Sequence, residues 1–69
     1  MKNNIKKERQ GENFTQVRLA EIVGVSRQTI ISIEINKYIP SVLLAVKLAN
    51  ALGKSVEELF FLEESDEVV

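Results

Sequence analysis

Four helix breakers, Gly11, Gly24, Pro40 and Gly53, punctuate the chain at helix-length intervals. That spacing limits it to a bundle of short helices. A first helix is predicted from Asn3 or Asn4 to Gln10, ending at Gly11. A second opens with Thr15 as N-cap and runs to Val23, with Leu19, Ala20, Ile22 and Val23 as its apolar set. Gly24 suits the left-handed residue that ends a helix. Ser26 caps a third helix that reaches Glu34 or Ile35. In "INKYIP", Asn36 suits a left-handed backbone, and Pro40 blocks any helix running into Ser41. Ser41 caps a fourth helix, "VLLAVKLANAL", which stops at Gly53 and reads as mostly core. Ser55 opens a short fifth helix, with Glu58 three residues on to complete a capping box and Leu59 and Phe60 directed inward. The tail "FLEESDEVV" is acidic and has no helical period. No strand alternation is visible except at the chain ends.

The chain has 69 residues, room for one small domain. A single core of this size is marginal, and association is a common remedy. With no Cys and no His, disulfides, thiol catalysis and the usual metal and general-base residues are excluded. There is no Gly-rich phosphate loop, and the acids of "EELF" and "EES" read as helix surface and tail. An enzyme, a metal and a cofactor are therefore not expected. No apolar run approaches the ~20 residues of a membrane span. The start "MKNNIKKERQ" lacks the apolar stretch of a signal peptide. A cytoplasmic chain is expected, with no membrane association. No separate effector domain is visible, so no small-molecule effector is expected.

The net charge of −1 hides an asymmetry. Residues 1–40 hold seven Lys/Arg and four acids, while residues 41–69 hold two Lys/Arg and six acids. Only a local patch matters for phosphate binding, so the N-terminal part remains a candidate for contact with DNA.

Helices 2 and 3 are joined by "VGVS", a short turn with Gly in its middle that sets two helices at a steep angle. Ala20 is small where the helices cross, and Val25, Ile30 and Ile33 anchor helix 3 on the core. On a helical wheel Ser26, Ile30, Ile33 and Glu34 share one side, and Arg27, Gln28, Ile31 and Ser32 the other. Arg and Gln make bidentate contacts to guanine and adenine edges in the major groove, and an apolar neighbour meets a thymine methyl. A solvated face with one stray isoleucine is the plainer alternative. Lys37 fits phosphate positioning. Tyr38 is open between a phosphate contact and a core or interface aromatic.

The stretch "TQVRLAEIVGVSRQTIISIEINKYIPS" resembles the helix-turn-helix of lambda-repressor-like regulators, of the Cro and xenobiotic-response-element type. The likeness rests on Thr15-Gln16, Leu19-Ala20, Gly24-Val25-Ser26, Ile30 and Ile33-Glu34, in that order. The later "PSVLLAVKLANALGKSVEELF" is similar to the family's fourth and fifth helices. The resemblance implies an all-α fold, a five-helix DNA-binding domain over residues 1–60 with the helix-turn-helix at about 15–35. An acidic tail over 61–69 follows it. It also implies that helix 3 reads the major groove of double-stranded DNA. Gln16 would bond a phosphate and brace the recognition helix, and Arg27, Gln28 and Ser32 would face base edges. Asn36, Lys37 and Tyr38 would lie near phosphates. Ser26, Thr29 and Ile31 complete the DNA-facing set. Arg9 and Glu34 match a family pair that ties helix 1 to the recognition helix. The chain departs from the pattern at Glu8, where an apolar residue is usual, and at Phe14 and Asn36, which replace a Leu and a Gly. Ile31 and Leu43 stand where polar residues are more frequent.

Three functions compete. A transcriptional regulator, expected to be a repressor, would bind a two-fold symmetric operator as a homodimer, since one recognition helix contacts too few bases for selectivity. Candidate interface residues are Ile39, Leu43, Phe61 and Leu62, with Phe61 open between core and interface. An antitoxin would use the acidic tail "EESDEVV" as a toxin-binding arm. A protein-interaction module that has lost DNA binding would fit the acidic pI.

Overall fold

Ser and Thr side chains start four of the five helices. Thr15 Oγ1 accepts from the Arg18 amide at 3.0 Å and Ser26 Oγ from the Thr29 amide at 3.2 Å. Ser41 Oγ accepts from the Leu44 amide at 3.1 Å, and Ser55 Oγ from the Glu58 amide at 3.2 Å. Each such cap satisfies an amide left without an intrahelical partner and contributes about 1 kcal/mol. The helices that follow in this computed structural model, which describes residues 1–67, are α2 (Gln16–Val23), α3 (Arg27–Glu34), α4 (Val42–Leu52) and α5 (Val56–Leu59). Gly24 and Gly53 close α2 and α4 in the left-handed region, at φ 77° and 66°.

The first helix, α1 (Ile5–Gly11), begins later than Asn3. Asn3 belongs instead to a two-residue strand, β1 (Lys2–Asn3), which pairs antiparallel with β2 (Phe60–Phe61). Lys2 faces Phe61 and Asn3 faces Phe60. The Asn4 amide extends the join by donating to the Leu59 carbonyl at 2.8 Å. The sheet thus straddles the boundary expected after residue 60. Beyond it the tail forms a 3₁₀ turn over Glu64–Glu67. Glu63 and Asp66 turn back onto the Met1 ammonium, at 3.1 and 2.9 Å. Val68 and Val69 lie outside the described residues.

One core joins all five helices. Ile5, Leu19, Ile30, Ile33, Leu48, Leu52 and Leu59 are fully buried, with Ala20 and Ala49 filling the close approaches. Truncating any of the buried leucines to Ala is worth about 2–5 kcal/mol. Phe14 packs against the cluster from its edge. Ile22 does not join it and is 40% exposed. It sits about 100° around the helix from Val23, on the flank away from Ala20. Glu8 is half-buried, and its carboxylate meets Lys54 Nζ at 3.3 Å. Along α4 the core face is Leu44, Ala45, Leu48, Ala49 and Leu52, while Val42, Leu43 and Val46 are exposed. Among the described residues no helix is long and apolar enough to cross a membrane.

Candidate nucleic-acid interface

The "VGVS" turn packs α3 against α2. Val25 donates its amide to the Ala20 carbonyl at 3.0 Å, which fixes the turn. Ile30 and Ile33 then hold α3 on the core. This leaves Arg27 and Gln28 exposed on the first turn, with Ser26 before them. Ser26 and Thr29 share a hydroxyl contact of 3.0 Å. Ser26, Gln28, Thr29, Ser32, Lys37 and Tyr38 line one open depression. Tyr38 is 46% exposed, so it is a surface residue and not a core aromatic.

Ile31 is not opposite the core face. It is half-buried, because it lies about 100° from Ile30, at the flank of the buried side. Its remaining exposed surface borders Arg27 and Gln28 on the wheel.

The base of the candidate interface is a polar network that runs from the buried Arg9 to the exposed Arg27. Arg9 Nε donates to Glu34 Oε2 at 2.7 Å, and Arg9 Nη2 to Glu34 Oε1 at 3.3 Å. Arg9 Nη1 donates to the Phe14 carbonyl at 2.9 Å. Gln16, the first residue of α2, donates from Nε2 to Glu34 Oε1 at 3.1 Å. Arg27, the first residue of α3, donates from Nη2 to Gln16 Oε1 at 3.3 Å. Among the described residues no buried side-chain nitrogen or oxygen is left without a partner.

Asn36 takes the left-handed conformation at φ 62° and ends the turn after α3. Its Oδ1 accepts from Asn3 Nδ2 at 2.9 Å, and the same nitrogen donates to the Ile33 carbonyl at 2.9 Å. Asn3 therefore pins the C-terminal end of α3 to the small sheet. Sequence reasoning missed this residue, since an isolated Asn in a two-residue strand carries no pattern.

The helix-turn-helix family matches residues 5–59, most of the chain. The chain belongs to the helix-turn-helix family. This helix-turn-helix protein has the lambda-repressor-like fold. It is 48% identical over 66 residues to an HTH-type transcriptional regulator of Methanocaldococcus jannaschii, covering 96% of this chain and 100% of that one. It is 44% identical over 66 residues to the HTH-type transcriptional regulator YgzD of Bacillus subtilis, with the same coverage. The crystal structure of the restriction-modification controller protein C.AhdI from Aeromonas hydrophila superposes with a TM-score of 0.75 at 28% identity, over 81% of this chain and 85% of that one.

The helix-turn-helix protein carries a second surface, away from α3. Ile39, Pro40, Val42, Phe61 and Leu62 line an apolar groove of about 250 Å³ beside Met1. Val42 is 82% exposed. Leu43 is separate from this groove: it lines a depression with Val25, Tyr38 and Lys47, on the helix-turn-helix side. Neighbours on one helix diverge by about 100°, so Val42 and Leu43 serve different faces.

Proposed function

We propose that this protein regulates transcription by binding a two-fold symmetric DNA operator as a homodimer, with α3 in the major groove. The observation that carries the reading is the exposed first turn of α3. It presents Arg27 and Gln28 beside Ser26, Thr29 and Ser32, with Lys37 and Tyr38 at the groove edge. Arg suits a guanine edge and Gln an adenine edge, and Ile31 offers its exposed part to a thymine methyl. Gln16, Asn36, Lys37 and Tyr38 serve the phosphates, which set register without reading sequence. Pairing through Ile39, Val42, Phe61 and Leu62 supplies the second half-site that selectivity requires. Occupancy of an operator suffices for repression and needs no surface beyond these two, which favours a repressor.

An antitoxin arm is less well supported, because Glu63 and Asp66 are engaged by Met1 rather than extended. Selection of bound sites from random DNA tests the reading. A palindromic consensus supports it. Absence of binding to any DNA at low salt overturns it and favours a protein-interaction module.

A further inference from the structure

We infer that Glu34 sets base preference at the position read by Arg27, acting through the side-chain amide of Gln16 and touching no base itself. This rests on the proposed DNA reading and adds a positioning residue to it.

The argument follows from donor and acceptor chemistry. A carboxylate only accepts and a guanidinium only donates. Gln16 stands between the two, with one accepting and one donating end. Its Nε2 must face Glu34 Oε1, at 3.1 Å, and its Oε1 must then face Arg27 Nη2, at 3.3 Å. One amide orientation satisfies both neighbours, and the reversed one satisfies neither. Glu34 itself does not turn. Two nitrogens of Arg9 hold its carboxylate, at 2.7 and 3.3 Å, and its side chain is only 3% exposed. A fixed carboxylate therefore orients the first side chain of α2, which orients the first side chain of α3.

The effect on Arg27 is preorganisation. A free arginine loses much rotamer freedom when it docks on a base, and holding it in advance lowers that cost. One of its five N–H groups is committed to Gln16 and the others remain for a guanine edge.

Glu34→Gln reverses the polarity of the relay. The new amide oxygen stays on Arg9 Nε, the shortest contact, so the NH₂ end gives up the Arg9 Nη2 contact and faces Gln16. Gln16 turns its oxygen toward that donor, and its own NH₂ end then meets the Arg27 guanidinium. Two donors face each other and Arg27 is released.

The test uses duplex oligonucleotides carrying the site enriched from random sequence, with single-base changes at each position and fixed salt. Arg27→Ala, Glu34→Gln and the double variant are titrated beside the wild type. Glu34→Gln is expected to reduce selectivity at the Arg27 base pair by roughly fivefold or more. Selectivity at the Gln28 base pair should be unchanged, and the double variant should be no less selective than Arg27→Ala alone. Gln16→Leu leaves the Arg9–Glu34 pair in place and breaks the same relay, so it keeps the test decisive where Glu34→Gln does not fold. Full selectivity at the Arg27 base pair in folded Glu34→Gln or in Gln16→Leu overturns the relay alone. Unchanged selectivity in Arg27→Ala overturns the relay and the base-reading role together.

Discussion

Arg9 and Glu34 meet through two nitrogen–oxygen contacts, at 2.7 and 3.3 Å, with side chains 9% and 3% exposed. The pair joins the end of α1 to the end of α3. Both charges have left water, so the Coulomb gain is largely offset by desolvation. Its importance shows when one partner is removed.

Arg9→Met leaves the Glu34 carboxylate buried without its counter-charge and the Phe14 carbonyl without a donor. Such a break costs about 3–5 kcal/mol. Urea unfolding of the two proteins measures it. A loss below about 1 kcal/mol would place the pair among solvated surface bridges.

Lys37→Ala should weaken binding to every DNA sequence alike and lower the slope of log affinity against log salt by about one unit. The lysine side chain is exposed, while its amide is tied to the Ser32 carbonyl at 2.9 Å, so the fold should be unaffected. Titration at several salt concentrations reads the slope. A loss confined to one operator, with the slope unchanged, contradicts a phosphate role.

Val42→Lys should dissociate the proposed dimer and leave the monomer folded, because an 82% exposed position contributes little to the core. Sedimentation equilibrium at micromolar concentration should give a dimer for the wild type and a monomer for the variant. The dimer should contact half-sites about 34 Å apart. A wild type that stays monomeric even on saturated DNA would sink this arrangement.

The Ser55 amide, and then its hydroxyl, hold the Glu58 carboxyl below its ordinary value of 4.5. A depressed carboxyl stabilises the fold fully above 4.5 and loses that contribution as pH falls through its folded-state value. The gap in melting temperature between wild type and Glu58→Gln should therefore narrow as pH drops through the acid range. A gap that stays constant from neutral pH to pH ~3 would mean the box gains nothing from ionisation.

Much of this architecture is legible in the sequence, since its start and stop signals are local. Thr15, Ser26, Ser41 and Ser55 announce helices by a side-chain oxygen that acts within three residues, and Gly24 and Gly53 end them by backbone conformation alone. The core followed from period for Leu19, Ile30 and Ile33, and failed for Ile22 and Ile31. Both flank a buried face, where an angular rule of about 100° per residue does not decide which neighbour covers them. Arg27 and Gln28 were visible as an exposed polar pair, but the chain of contacts from Arg9 to Arg27 depends on tertiary placement of four residues. The strand pair was hidden because two residues are too few to show alternation.

That strand pair gives the molecule an order of events in time. The helices form from contacts between near neighbours, which close quickly. β1 and β2 come from opposite ends of the chain and meet only after the entropy of the longest loop has been lost. They should be the last structure to form and the first to open. In native-state hydrogen exchange the Asn4 amide, bound to the Leu59 carbonyl, should then exchange well before the amides of α2. Each opening frees Asn3 from the Ile33 carbonyl, so the far end of α3 should flicker at the rate of the clasp while the body of the domain stays closed.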